Sequence, residues 1–458
     1  LHVCAARLSV ADAERMFPER PDPNPEAGVH ESFTYSLPKR MELRHILFHD
    51  HRLDEVAAQA MMNDVAHWDS WIRKAETDSG LHFGYLQERF SDFESFSNTV
   101  GLMRSLEAEP GRDRRWTSKH LVPHGPDTLM ADLKELKNGR MDSSERRFFA
   151  RGGELVFLML SRSDLRDRLE PLIRDRLLTR ANRWNKLAER LQPQSEVVRT
   201  GQPHIGYLPA PRHKRYNALA EDWTSLLEIK GLPTDYALEP LMRLTGLHTA
   251  LYLLERAADS TGAQSIAPLP LEMISAGGNA VRKLSTEQFH ANQHATREAL
   301  KQRLQAFLDS EVWRQLPQEN RNQKAQKILH ETFEWDGGDT NLAPEAQFEA
   351  FYDNVLKNHA SRLGPIPNSY LQKVGLAVRR KGAGSWYAPS DGMLEALVLA
   401  NVHEPVELRT FLNRIRERYS LVVGPHDARR AFGEMPVREE QLTRNLQRFE
   451  ERMRALGF

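Results

Sequence analysis

The chain has a single cysteine, Cys4, in 458 residues. One thiol excludes an intrachain disulfide and any structural zinc site built on several cysteines, which points to a reducing compartment. Lying at the extreme terminus, it is a poor candidate for a thiol nucleophile. Long apolar runs are also absent. The longest, Leu155 to Leu160, is far below the ~20 residues that cross a bilayer. The first residues lack a charged start followed by a hydrophobic stretch, so the expectation is a cytoplasmic protein with no membrane partner. There is no excess of either charge: Lys plus Arg and Asp plus Glu each number 63. A local cluster of one sign is therefore a property of its own segment. Missing as well are the G-x-x-x-x-G-K-[ST] phosphate loop, a G-x-G-x-x-G after a strand and the G-x-S-x-G elbow. ATPase, dehydrogenase and α/β-hydrolase chemistry lose their usual carriers, and no cofactor is expected. No period of 20 to 50 residues repeats, which argues against a solenoid.

With 40% hydrophobic and 28% charged residues, 8 Trp and 19 Phe, the chain has the composition of a folded globular protein. Its length exceeds one ordinary core and implies about two to four domains. Breaks rich in Pro, Gly, Asn and Asp fall at 18–25, 110–126, 192–211, 267–270 and 336–344. The expected layout is a helical N-terminal region (1–126), a central helical domain (127–266), a helical connector (267–335), a module over 336–425 and a C-terminal packing helix (426–458). The fold class is mainly α and multidomain, with little sheet.

The helical signals are specific. Leu165, Leu169, Leu172, Ile173, Leu177, Trp184, Leu187 and Leu191 recur near the 3.6 period, with Pro171 placed to start a second helix. Ser285 and Gln288 have capping-box spacing for a helix through Leu308. Near the end, Leu442, Leu446, Phe449, Met453 and Leu456 form a narrow apolar seam, suited to docking on the chain itself or on a protein partner.

The densest cue is the stretch 363–390, where Lys373, Arg379, Arg380 and Lys381 occur with no acidic residue among them. Gly382-Ala383-Gly384-Ser385 tolerates the positive φ of a tight turn, so Leu376–Lys381 and Trp386–Ala388 read as a hairpin. Upstream, Phe348, Phe351, Tyr352, Val355 and Leu356 share one helical face, and helices are expected near 323–333 and 368–373. Ser390 is placed to cap a further helix over Met393–Val402. The order helix, helix, short helix, strand, turn, strand resembles the winged-helix module over about residues 320–402. That resemblance implies nucleic-acid or protein docking, with Ser369, Tyr370, Gln372 and Lys373 on the recognition helix and Arg379, Arg380, Lys381 and Trp386 on the wing. Cations on a hairpin meet phosphates without reading sequence. Trp386 suits either a base stack or a cover for the core beneath it. Two further basic clusters, Arg112–His120 and Arg212–Tyr216, offer an extension of such a surface or solvated loops.

A second chemistry is open at RHILFHDHRLDE. His45 and His49 share a helical face at i, i+4, and with Asp50 they form a candidate metal set. The His-Asp doublet is similar to that of HD-type metal phosphohydrolases. Asn63, Asp64, His67 and Asp69 follow closely enough to complete a cage, although Ile46, Leu47 and Phe48 between the ligands read as core. His290 and His294 also stand at i, i+4, but Ala291 replaces the glutamate a zincin requires. The expectation is a non-enzymatic DNA-binding subunit of a larger bacterial-type DNA-processing or defence assembly. The alternatives are a metal-dependent phosphohydrolase and a protein-docking scaffold.

Overall fold

The structure is a computed structural model that describes residues 7–8, 35–48, 52–59, 61–104, 124–129, 152–195, 197–199, 210, 212–274 and 279–458. These residues are mostly helical, and no helix among them is long and apolar enough to cross a membrane. They fall into two compact units, Leu1–Leu238 and Glu239–Phe458.

The first unit begins with a two-stranded antiparallel pair, β1 (Arg7–Leu8) and β2 (Tyr35–Ser36). It continues through α1 (Met41–Phe48), α2 (Leu53–Ala57), α3 (Asp64–Ser79), α4 (Phe93–Arg104), α5 (Gly152–Ser161), α6 (Arg166–Leu172), α7 (Arg183–Arg190) and α8 (Lys214–Glu228). The division between units falls within α9 (Thr234–Thr261). The start of α3 is fixed locally, because the Asn63 side chain accepts from Ala66 N at 2.9 Å. Its end is fixed at Gly80, whose φ of +67° lets its N–H bond Glu76 O. Between these ends Trp68, Trp71 and Ala75 turn one face inward. There Trp68 and Trp71 meet Phe93 and Phe96 of α4, with centroid separations of 4.7 to 6.3 Å. Pro171 does not start a helix. It lies inside α6, and the backbone continues as a π turn over Ile173–Leu177 before α7 opens at its Asn182 cap. Opening the helical ladder to i→i+5 is one way a chain accommodates a proline that lacks an N–H.

The second unit comprises β3 (Leu269–Pro270), α10 (Ala280–Leu308), α11 (Glu311–Arg314), α12 (Arg321–Phe333), α13 (Pro344–Asn358), α14 (Ile366–Lys373), β4 (Ala377–Arg380), β5 (Gly384–Tyr387), α15 (Asp391–Asn401), α16 (Leu408–Tyr419), β6 (Leu421–Val422), α17 (Pro425–Phe432) and α18 (Glu439–Ala455). Its hub is the segment around β3, which pairs in parallel with β6, Leu269 opposite Leu421. The buried Asn445 of α18 ties the hub together: its Oδ1 accepts from Met273 N at 2.8 Å and its Nδ2 donates to Leu271 O and Val423 O. Further along, Glu272 N donates to Tyr387 O at 2.9 Å, which joins the hairpin of β4 and β5 to the hub.

Two expectations change here. Ser285 is not a helix cap. α10 begins five residues earlier, where Asn279 Oδ1 accepts from Arg282 N at 2.7 Å. Ser285, fully buried, uses its Oγ to accept from Tyr387 N at 2.8 Å instead. The seam of α18 is occupied by the chain's own residues. Leu442 packs with Val281, Val422 and Ala428, while Phe449 lies 6.5 Å from the Phe411 ring. Leu442, Phe449 and Met453 of this seam are buried within the unit, while Leu446 and Leu456 are half-buried. Of the stripe on α13, Phe348 and Phe351 are buried and Tyr352, Val355 and Leu356 half-buried. It packs against α12 and the end of α10. Phe348 and Phe351 join Leu304, Trp313 and Leu329 in a cluster of their own.

Candidate nucleic-acid interface

The hairpin is placed by a helix terminus and held by α10. α14 ends in a glycine turn in which Leu376 N bonds Leu371 O and Gly375 N bonds Gln372 O, with Gly375 at φ +83°. This turn redirects the chain into β4. The β4–β5 register pairs Ala377 with Tyr387, Val378 with Trp386, Arg379 with Ser385 and Arg380 with Gly384. Ala383 N bonds Arg380 O at 3.1 Å across the tip, where Gly382 has φ +80°.

At the base, Tyr387 presents its N–H and C=O away from β4, as alternate residues of an antiparallel strand do. The N–H meets Ser285 and the C=O meets Glu272 N, so these two groups stand in for a third strand. Asn292 Nδ2 donates to Tyr387 Oη at 2.9 Å and to Ala267 O at 3.0 Å. The buried Glu272 carboxylate collects Trp386 Nε1 (3.2 Å), Asn279 Nδ2 (3.0 Å) and the Arg282 guanidinium (3.4 Å). Apart from Arg282 Nε, which is buried without an acceptor among the described residues, the polar atoms named at this base are hydrogen-bonded, which is what makes a buried polar network tolerable and rigid.

Exposure rises from base to tip. Ala377, Trp386 and Tyr387 are buried, whereas Arg379, Arg380, Lys381, Gly382 and Ala383 are exposed. Among the described residues, no carboxylate lies within ion-pair distance of Arg379, Arg380 or Lys381. The Arg380 guanidinium lies 5.8 Å from the centre of the Trp386 ring, a diagonal cross-strand contact. Lys373, at the end of α14, is also exposed. Tyr370 and Gln372 are half-buried, and burial raises the Tyr370 phenol above its ordinary value.

One member of the sequence-derived set is corrected. Trp386 is 1% exposed, donates to Glu272 and has the Arg282 guanidinium 4.6 Å from its ring centre, so it cannot stack on a base. The residues that sequence reasoning missed are its supports, Glu272, Ser285 and Asn292. Their signal was polar residues on an apolar stripe: Ser285 and Asn292 share a face of α10 with Val281 and Phe289.

His45 is buried and its ring lies 5.3 Å from Phe83, a core position; His49 and Asp50 lie outside the described residues. Around it, Asn63 caps α3, Asp64 accepts from Phe93 N at 2.6 Å, and His67 stacks on Phe93 at 5.4 Å. No group of three His, Cys, Asp or Glu suited to a metal occurs among the described residues. His290 and His294 are exposed on α10. The cluster Arg112–His120 lies outside the described residues. In the cluster at 212–216, His213 caps α8, and Arg215 and Tyr216 are buried, leaving Arg212 and Lys214 exposed.

Comparisons with protein-family models, with curated proteins and with solved structures find no match.

Proposed function

We infer that the chain is a non-enzymatic nucleic-acid-binding protein, with DNA the foremost candidate, that grips phosphates through the tip of the β4–β5 hairpin. The observation that carries this reading is the exposed trio Arg379, Arg380 and Lys381, held without acidic partners on a hairpin whose base is buried and hydrogen-bonded. A rigid base lowers the entropy lost when a cationic tip meets a polyanion. In this reading the hairpin is the wing of a winged-helix-like module, with α14 as its third helix. Eight residues make α14 about 12 Å long, too short to follow a groove. Contact is therefore directed to phosphates and indifferent to base sequence. Membership of a larger DNA-processing or defence assembly is the second half of the proposal.

The test is a fluorescence-anisotropy titration of wild type and Arg379/Arg380/Lys381→Ala against duplex and single-stranded DNA at about 50 and about 200 mM salt. Each phosphate neutralised contributes about 0.9 to the log–log salt slope on duplex, so the variant loses up to about 2.7. Over that fourfold salt range the difference amounts to about 40-fold in affinity. An unchanged slope and affinity in a folded variant sinks the proposal.

A further inference from the structure

A cleft of about 480 Å³ opens in the first unit, bordered by Arg40, Arg89, Asp127, Lys186, Glu189 and Arg190. That volume lies in the range of small-molecule sites, ~300 to 1,000 Å³. Its walls are built from residues far apart in the chain. Arg40, at φ +45° just before α1, donates from Nε to Leu129 O (2.8 Å), from Nη2 to Pro126 O (3.0 Å), and from Nη1 to Gln192 Oε1. Arg89 Nη1 reaches the carbonyls of Glu189, Arg190 and Gln192 at the end of α7, and Arg190 returns two bonds to Arg89 O. The two strands of this clasp hold the cleft's rim in shape.

The charges do not balance. Asp127 is already engaged by Arg40 and Arg180, each at 3.3 Å, and by the Asn185 amide at 3.0 Å. Glu189 is the other lining carboxylate, and both it and Lys186 are exposed without an ion-pair partner among the described residues. Four lining cations thus face one committed and one free carboxylate. Burial holds the Arg40 guanidinium below its ordinary value against the opposing pull of Asp127, and the like charges of Arg199 and Arg180 lower it further. An anion in the cleft relieves that excess, and Lys186 Nζ, Arg190 Nη1 and the Nε and Nη2 of Arg89 are the donors not already given to carbonyls.

We propose that this cleft binds a free polyphosphate-bearing small molecule, with Lys186, Arg190 and the unused nitrogens of Arg89 taking the phosphate oxygens. Glu189 opposes the ligand and tunes its affinity. The site is independent of the hairpin.

Isothermal titration of the full chain with pyrophosphate tests it. Wild type is expected to bind one equivalent. Lys186→Glu, at an exposed side chain, weakens binding at least about tenfold, and Glu189→Gln strengthens it severalfold. Circular dichroism confirms that both variants are folded. Absence of binding at millimolar pyrophosphate overturns the proposal, as does equal affinity across wild type and the two variants. Loss of binding in Arg379/Arg380/Lys381→Ala in place of Lys186→Glu assigns the anion to the hairpin and overturns the site. Citrate binding as tightly as pyrophosphate overturns the phosphate class. Tighter binding of pyrophosphate than of a 5′-phosphorylated trinucleotide supports a free ligand, and the reverse order refutes it.

Discussion

Replacing Ser285 by Ala tests how the hairpin is held. The hydroxyl is fully buried and accepts from Tyr387 N at 2.8 Å, while the Tyr387 carbonyl is separately engaged by Glu272 N. Removing the oxygen leaves a buried N–H without an acceptor, which costs about 1–3 kcal/mol. For a unit of this size, each kcal/mol shifts the melting midpoint by about 2–4 °C, so a fall of about 2–12 °C is expected. The neighbouring Thr286→Ala, half-buried on the same helix, should stay within about 0.5 kcal/mol of wild type. Hydrogen exchange then locates the loss. If Ser285 holds β5, the Tyr387 amide loses protection; if it capped a helix, the amide of Gln288 would lose it. A midpoint unchanged from wild type, or lost protection at Gln288 with Tyr387 intact, refutes the anchoring argument. Coupling to function follows, because a loosened base gives the cationic tip more entropy to lose, and DNA affinity should fall although no charge has been removed.

Gly375→Ala should be more damaging, at about 2–5 kcal/mol. The residue sits at φ +83°, and a Cβ there meets the Ser390 hydroxyl and approaches Arg243 Nη1 to 2.9 Å. Chemical denaturation checks this, and a loss below about 1 kcal/mol contradicts the turn geometry. The first unit should weaken in mild acid. Burial holds His124 below its ordinary 6.5 in spite of Asp235 at 3.1 Å, so the unfolded chain takes up a proton that the folded chain refuses. Its contribution is therefore fully present above about pH 6.5 and is lost as pH falls below that value, by at most about 1.4 kcal/mol per pH unit. Denaturation at about pH 7.5 and about pH 5.5 should show this loss in wild type and a smaller one in His124→Gln; equal losses count against the assignment. His359, in the second unit and also depressed by burial, adds a component of the same sign to denaturation of the whole chain that the variant retains.

Much of the local structure was legible from the chain alone, because it depends on neighbours a few residues apart. The 3.6 period of Phe348, Phe351 and Val355 marked α13, Ser390 marked the start of α15, and the Gly-Ala-Gly run marked a turn with cations beside it. The single cysteine ruled out an intrachain disulfide, and apolar periodicity with few strand signals made helix dominant. The functions of single polar residues were not legible. Ser285 carries the spacing of a cap, and only the arrival of β5, about a hundred residues later in sequence, makes it a strand anchor. Trp386 reads as a stacking platform or, as is commoner on a two-stranded hairpin, a cover for the core, and Glu272 and Arg282 enclose it. Leu442 of the α18 seam looks like part of a docking face until Val281, Val422 and Ala428 of its own unit cover it. The cleft is the extreme case, since Arg40, Arg89, Asp127 and Lys186 share no local pattern. Periodicity and turn chemistry are short-range and written along the chain. Burial, pairing of charge and convergence of donors depend on which distant segments meet, and the tertiary structure alone decides that.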